Sequence, residues 1–343
     1  MRTLSVVLLG LSIALSSAAC AAPSDAEPAP SSEDELIGAP PLGPNPVGSR
    51  TRYPIVLAHG FDASPTNRWG YQGVAEALAA DGHVVHVAAV PPYETPAVRA
   101  KALALHVDAA IAACKRVSGC DAKKVNIIAH SMGGLDSRVL ISKLNYGDRI
   151  ASLTTISSPH RGTNVADVAL GLVPGVADDA IDALAKCWSR SFTSEELSRS
   201  ANLRGVLEAL SETNAPAFNR DTPNDARVFY QSWAGVSSAA WLPNPQDLVA
   251  CEGKFLSYRE RRDGIHASLA PMAALTAHGT ELRPNDGMAT VESAKWGEFR
   301  GCIPADHLDE VGTGVPEGGH FWTGFDHKRF YRNVAFDLAR RGF

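Results

Sequence analysis

The residues able to do chemistry gather round one serine. Ala129-His130-Ser131-Met132-Gly133 fits a small-x-Ser-x-Gly pattern. The apolar run Val125 to Ala129 precedes it and a helical pattern follows to about Leu144. That context is what a nucleophile on a tight strand-to-helix bend requires. Positions two residues either side must be small so that strand and helix can approach, and Ala129 and Gly133 meet that need. The bend exposes the Ser131 hydroxyl and aims the Met132 N–H at a developing oxyanion. The plainer reading is a Ser-Gly turn that only caps a helix. A second oxyanion donor must come from the loop after an earlier strand. His59-Gly60-Phe61 supplies one: Gly60 turns the backbone and the Phe61 N–H is the donor. His59, at a strand end, is expected to brace that loop.

A serine hydroxyl is a weak nucleophile and needs a base, which in turn needs an orienting acid. Downstream of Ser131 lie His160, His266, His278, His307, His320 and His327. His307 sits in Asp306-His-Leu-Asp-Glu-Val311, a loop-like stretch late in the chain. Asp286 sits in Pro284-Asn-Asp-Gly287, at a strand boundary. These positions suit the chain order Ser, Asp, His. An Asn-Asp-Gly turn also arises without any catalysis. No H-E-x-x-H occurs, which disfavours a metallohydrolase. No G-x-G-x-x-G follows the first strand, which disfavours a dinucleotide-binding fold.

The elements that must position these groups alternate. Apolar strand patterns at Tyr53 to Ala58, Val84 to Val90, Val125 to Ala129, Ile150 to Ile156 and Val228 to Trp233 are separated by helical stretches. Helices are expected over Trp69 to Ala80, Pro96 to Val117 and Phe325 to Arg340, with a weak strand at Met288 to Val291. Continuously apolar strands alternating with helices specify a parallel sheet covered on both faces. Residues 160–222 interrupt the rhythm. Val165, Val168, Leu172 and Val176 form an amphipathic stripe followed by Ile181 and Leu184, either a lid or a core-facing helix.

Of 343 residues, 45% are hydrophobic and 20% charged, which excludes disorder for most of the chain. The formal charge of −5 gives no electrostatic footprint for nucleic acid. Arg2, the apolar run Val6 to Leu15 and Ser17-Ala-Ala-Cys20 read as an export signal over residues 1–20. Its end is similar to the lipobox of bacterial lipoproteins, in which the cysteine, here Cys20, becomes lipidated and anchors the protein to a membrane. Ser17 stands where such sites usually carry Leu, so release into the medium stays open. Residues 21–50 are rich in Pro, Ser and acids and read as a tether, leaving 51–343 as one catalytic domain. Export implies an oxidising compartment. Cys114 and Cys120 are the expected disulfide; Cys187, Cys251 and Cys302 allow one further bridge whose pairing stays open.

Five blocks occur in order: Tyr53-Pro-Ile-Val-Leu-Ala-His-Gly60, Lys124-Val-Asn-Ile-Ile-Ala-His-Ser-Met-Gly-Gly134, Ile156-Ser-Ser-Pro-His-Arg-Gly162, Asn285-Asp-Gly287 and Asp306-His-Leu-Asp-Glu-Val311. Together they resemble the secreted bacterial true lipases of family I, the Pseudomonas/Burkholderia type. The resemblance covers roughly residues 53–340, with 160–285 matching only in patches. It implies an α/β-hydrolase fold with nucleophile Ser131, acid Asp286, base His307 and oxyanion donors Phe61 and Met132. It also implies a helical lid within about 163–212 and a structural calcium steadying the histidine loop. Asp309 matches one calcium ligand and Asn244 or Asp247 the second, whereas Thr313 replaces the family's glutamine. The family's cysteine after the catalytic Asp is absent, so its disulfide does not carry over. The activity implied is hydrolysis of lipid esters at a lipid–water interface, with no cofactor required for the chemistry. Alternatives on the same triad are a polyester depolymerase or a phospholipase; another is a non-catalytic lipid-binding lipoprotein.

Overall fold

The computed structural model describes residues 41–61, 70–173, 202–238, 243–256 and 262–343. In chain order, the first half runs β1 (Ile55–Ala58), α1 (Val74–Ala80), β2 (Val85–Ala88), α2 (Pro96–Cys114), β3 (Val125–His130), α3 (Gly133–Lys143), β4 (Ile150–Ile156) and α4 (Asn164–Ala169). Then come α5 (Leu203–Leu210), α6 (Ala215–Asp221), β5 (Phe229–Gly235), β6 (Ser237–Ser238), α7 (Asp247–Ala250), β7 (Asp263–Gly264), α8 (Ala270–Thr276), α9 (Val291–Ala294), β8 (Glu298–Ile303) and α10 (His327–Arg340). Six strands form one sheet in the order β2-β1-β3-β4-β5-β8, with every neighbouring pair parallel. Five of these strands are those expected from the sequence; the sixth, β8, is not the one expected.

The two faces of the sheet explain the unbroken apolar runs. Val56, Ile127 and Leu153 pack on one face with Leu103 and Val107 of α2 and Leu140 of α3. Ile55, Leu57, Ile128 and Ile156 pack on the other with Val74 and Leu78 of α1 and Phe330, Tyr331 and Val334 of α10. Side chains alternate across a strand, so a strand covered on both faces is apolar at every position. No helix among the described residues is long and apolar enough to cross a membrane.

Several expectations need correction. Met288 to Val291 is not a strand: Asn285 and Thr290 form an isolated bridge around the Asp286 turn, and Val291 opens α9. The last sheet strand is β8, whose sequence Glu-Phe-Arg-Gly-Cys-Ile carries no continuous apolar run because it lies at the sheet edge. The first helix begins at Val74, and Gly73 caps it in a left-handed conformation. The tether expected over 21–50 is partly docked. Leu42 is buried, and the carbonyls of Gly43 and Pro44 accept from Arg329 and Asn333 of α10. Of the expected lid, residues 174–201 lie outside the described residues. In the described part, Val165 and Val168 are buried against Val173, Met272 and Leu275, whereas Leu172 is exposed.

Two disulfides are present among the described residues. Cys114–Cys120 closes the end of α2 as expected. Cys251–Cys302 joins the segment after α7 to β8, resolving the pairing that the sequence left open; Cys187 lies outside the described residues.

The crossing of α3 over β1 is one of the tight points of the frame. A Cβ on Gly133 would lie 2.4 Å from the Ala58 carbonyl oxygen and 2.7 Å from that of His59. Both obstacles are backbone and cannot rotate away. Gly133→Ala should therefore lower stability by about 3 kcal/mol, measured by chemical denaturation; a change near zero would mean that strand and helix are free to separate.

Candidate active site

Ser131 follows the last residue of β3 and sits at φ +55°, a left-handed conformation that is uncommon for a residue with a side chain. The bend is held from both sides: the Ser131 N–H donates to the Ile156 carbonyl on β4 (2.9 Å), and the Ser131 carbonyl accepts from Gly134 on α3 (3.1 Å). This lifts the hydroxyl clear of the sheet at the strands' C-terminal ends. His307 and Asp286 come to it from loops separated by β8. Ser131 Oγ lies 2.8 Å from His307 Nε2, and His307 Nδ1 lies 2.7 Å from Asp286 Oδ2. The backbone repeats the link, since the His307 N–H donates to the Asp286 carbonyl at 2.9 Å. Asp286 is fully buried, which alone would raise its pKa. The adjacent His307 and the N–H groups of Ala289 and Met288 on its carboxylate outweigh burial and hold it below the usual value. The three residues named from sequence are thus brought together, with the acid kept ionised.

Gly60 packs directly on the serine. A Cβ there would lie 2.9 Å from Ser131 Cβ and 3.3 Å from its Oγ. The loop bearing Phe61 is fixed by Arg99 of α2, which is fully buried and donates to the carbonyls of His59 (3.0 Å), Gly60 (2.7 Å), Phe61 (3.3 Å) and Pro91 (3.1 Å). Asp136 of α3 completes it at 2.8 Å. His59 braces the same loop through Gly60 O at 3.1 Å and Val90 N at 3.5 Å. Burial, with Arg99 close by, lowers the His59 pKa to about 4, so it is neutral at pH 7. Bracing is the role its sequence position suggested. Nothing in the sequence marked Arg99, whose partners are mostly backbone carbonyls.

A second carboxyl lies under the triad. Glu310, three residues past His307, is fully buried, with Oε2 3.0 Å from His130 Nε2 and Oε1 2.5 Å from Ser157 Oγ. The His130 and His307 rings are 4.5 Å apart. Burial and then the negative Asp286 push Glu310 well above the carboxylate range, while burial and then His307 push His130 well below 6.5. Both shifts favour the uncharged form of each partner at this contact. A lone Glu in a polar loop gives no sequence signal of this.

Asp309 does not meet Asn244 or Asp247. Asp247 is buried against Arg262 at 2.8 Å, and the Asn244 side chain serves its own loop and the Leu282 carbonyl. A basic partner nearby in the chain has claimed the carboxylate. Instead, Asp309 joins Asp263 of β7 and His320, with ligand atoms all within 4.8 Å of one another. Asp263 also accepts the Asp306 N–H at 2.9 Å, one residue before His307. Burial and then the charge of Asp306 raise the Asp263 pKa strongly. Carboxylates packed this way need a proton or a cation between them, so the Asp263 and Asp309 oxygens, though not the His320 nitrogen, suit an oxygen-seeking divalent ion.

A serine, an imidazole and a buried carboxylate in hydrogen-bonded series on a parallel sheet define a serine hydrolase of the α/β-hydrolase fold. Comparison with known proteins agrees. The family described as palmitoyl protein thioesterase matches residues 54–213. Triacylglycerol lipase 2 of Saccharomyces cerevisiae is 31% identical over 284 residues, covering 79% of this chain and 73% of that protein. A triacylglycerol lipase of Pseudomonas fragi is 28% identical over 282 residues, covering 76% and 88%. Among solved structures, a metagenomic carboxyl esterase superposes with TM-score 0.60 at 15% identity, covering 87% of this chain and 79% of that one. Staphylococcus hyicus lipase superposes with TM-score 0.55 at 17% identity, covering 87% and 98%. The chain belongs to the triacylglycerol lipase family. It is a carboxylic ester hydrolase.

Glu310 generates a pH prediction. Its folded pKa stands above the unfolded value of 4.5, so its contribution is fully present below 4.5 and declines as pH rises toward the folded pKa. Gln mimics the neutral carboxyl and does not titrate. The melting temperature of Glu310→Gln relative to wild type should rise from pH 4.5 upward, reaching at least ~2 °C by pH 8. A relative melting temperature that falls over that range would mean that ionised Glu310 stabilises the fold.

Proposed function

We propose that this enzyme is an exported lipase in which Ser131 attacks the carbonyl of a long-chain glycerol ester. The observation that carries the reading is the unbroken series from Ser131 Oγ through His307 to Asp286, at 2.8 and 2.7 Å. His307 takes the serine proton as the tetrahedral intermediate forms, and Asp286 orients the ring and balances its charge. The N–H groups of Phe61 and Met132 receive the oxyanion, each contributing ~3–4 kcal/mol. His307 then protonates the departing alcohol. Water, activated by the same ring, hydrolyses the acyl-enzyme and restores the serine.

The substrate class rests on the lipase relatives and on the apolar residues beside the serine. Met132, Leu135, Ala166, Val206 and Leu210 cluster there, with Phe61 and Leu207 packed on them. A second reading is favoured by the palmitoyl protein thioesterase match over 54–213: the same triad would cleave an acyl thioester, expelling a thiol in place of an alcohol. Export is supported by the N-terminal signal pattern and by the two disulfides. Anchoring through a lipidated Cys20 is the reading we favour for the mature N-terminus.

Asp263 and Asp309, with His320 beside them, would hold a calcium ion. Bound there, it would neutralise the paired carboxylates and stiffen the loop that carries His307. The chemistry itself would not pass through it.

Ser131→Ala should reduce hydrolysis of p-nitrophenyl esters by at least about a thousandfold without changing the melting temperature. Retention of more than about a hundredth of the activity would move the nucleophile elsewhere. For the cation, EDTA should lower the melting temperature of wild type but leave Asp309→Ala unaffected. Identical melts of wild type with and without chelator would remove the ion from the account.

A further inference from the structure

The first strand stops short of the residues that must receive the oxyanion. β1 pairs with β2 and β3 as far as Ala58, so the carbonyls of His59, Gly60 and Phe61 lie beyond the ladder. Arg99 of α2 takes the place of a strand partner. A guanidinium carries five N–H groups in a flat fan, and here all five are engaged. Nη2 donates to His59 O at 3.0 Å and Gly60 O at 2.7 Å, Nη1 to Phe61 O at 3.3 Å and Pro91 O at 3.1 Å, and Nε to Asp136 Oδ2 at 2.8 Å. The side chain is fully buried. Because its acceptors are backbone carbonyls apart from Asp136, the fan sets the rotation of peptide planes.

The Gly60 carbonyl and the Phe61 N–H belong to one trans peptide, in which the two groups point in opposite directions. Holding the carbonyl at 2.7 Å therefore turns the Phe61 N–H away from Arg99. Ser131 packs against the same peptide, since a Cβ on Gly60 would lie 3.3 Å from Ser131 Oγ. Gly60 has no side chain to restrain that plane, so the restraint must come from outside. The fifth donor reaches the other half of the hole. Asp136 stands in the first turn of α3, which Met132 caps, and its N–H donates to the Met132 carbonyl at 3.1 Å. Asp136 is buried, and among the described residues its Oδ1 has no hydrogen-bond partner, so its carboxylate serves Arg99. One guanidinium thus ties the peptide bearing the first donor to the helix bearing the second.

We propose that Arg99 is a positioning residue of the oxyanion hole: it fixes the rotation of the Gly60–Phe61 peptide and, through Asp136, the gap between the Phe61 and Met132 N–H groups. Arg99 touches no substrate. It acts through the two donors, which stabilise the tetrahedral state only if they stand ~3 Å from the oxyanion. A donor held in place before the substrate arrives costs no reorganisation at the moment of attack. Lysine cannot substitute, because its ammonium is a point charge on a flexible stem and lacks the planar fork. The charge exists only after Ser131 has added to the carbonyl, so loss of Arg99 lowers kcat and leaves ground-state binding alone. The inference rests on the oxyanion roles given above to Phe61 and Met132.

The test separates oxyanion stabilisation from ground-state binding with two ketones of the same chain. Ser131 Oγ adds to the carbonyl carbon of the trifluoromethyl ketone, its proton passes to His307, and the ketone oxygen takes the negative charge. The methyl ketone binds without that addition. Arg99→Lys should lower kcat for p-nitrophenyl butyrate by at least about thirtyfold, with KM within about threefold. The inhibition constant of the trifluoromethyl ketone should rise by the same factor, while that of the methyl ketone stays within about threefold. Asp136 gives a second route should Arg99→Lys fail to fold. Asp136→Ala, which frees the guanidinium from α3, should lower kcat by about tenfold, and Asp136→Asn, whose carbonyl still accepts from Nε, should lose less. A wild-type kcat in folded Arg99→Lys would overturn the proposal. So would equal weakening of both ketones, which would make Arg99 a determinant of the acyl site, or equal losses in the two Asp136 variants. Failure of the hydrolase reading itself would appear differently: Ser131→Ala would keep its activity, and the wild type would not prefer the trifluoromethyl ketone.

Discussion

The structure depends on one cramped backbone bend. Ser131 can stand at φ +55° only because its neighbours hold it there: β4 accepts its N–H, and α3 begins immediately with a residue that must lack a Cβ. Such a conformation costs ~1–3 kcal/mol and persists where the surroundings over-determine it. Here they do, because β3 lies in the middle of the sheet, paired with β1 and β4. The strain is small beside the two apolar layers that clamp the strand, and it presents one hydroxyl at the end of a rigid element.

Beneath that hydroxyl, the polar groups are sorted by burial into charged and neutral members. Asp286 is ionised because His307 and two backbone N–H groups compensate its desolvation. Glu310, buried and facing Asp286, is pushed the other way, above the usual carboxylate range, and His130 against it is pushed below the usual imidazole range. The two shifts favour charge on Asp286, at the back of the catalytic imidazole, over charge on Glu310. Had both carboxyls ionised, their repulsion in a low-dielectric site would have been severe. Arg99 plays the matching part on the other side, fixing the Phe61 loop through backbone carbonyls while Asp136 meets its charge.

What the sequence disclosed follows from what each feature requires. Strands buried on both faces must be apolar throughout, so β1, β3 and β4 were legible. The bend at Ser131 needs small flanking residues in fixed positions, so it was legible too. His307 and Asp286 emerged from chain order and from resemblance to a family, since neither turn is distinctive in itself. β8 was missed because an edge strand needs no unbroken apolar run, and Glu298 and Arg300 interrupt it. The partner of Asp309 was misplaced for a related reason. Asp247 has the right type at a reasonable spacing, but Arg262 neutralises it, and only the folded chain brings Asp263 to the histidine loop. Glu310 and Arg99 were invisible, because a buried charge is written in the sequence with the same letter as a solvated one.

The edge strand that escaped detection is also guarded. Segment 254–256 runs along β8, with Cys302 N–H donating to Lys254 O and Leu256 N–H donating to Cys302 O, and Cys251–Cys302 rivets the two together. Open strand margins template the stacking of one chain on another. Before that bond is made, a newly emerged chain would present an unshielded margin only a few residues from His307. The bond thus holds that cover in place. Closing it costs the two thiols two electrons, so the cover on this margin is completed only when an oxidant has acted.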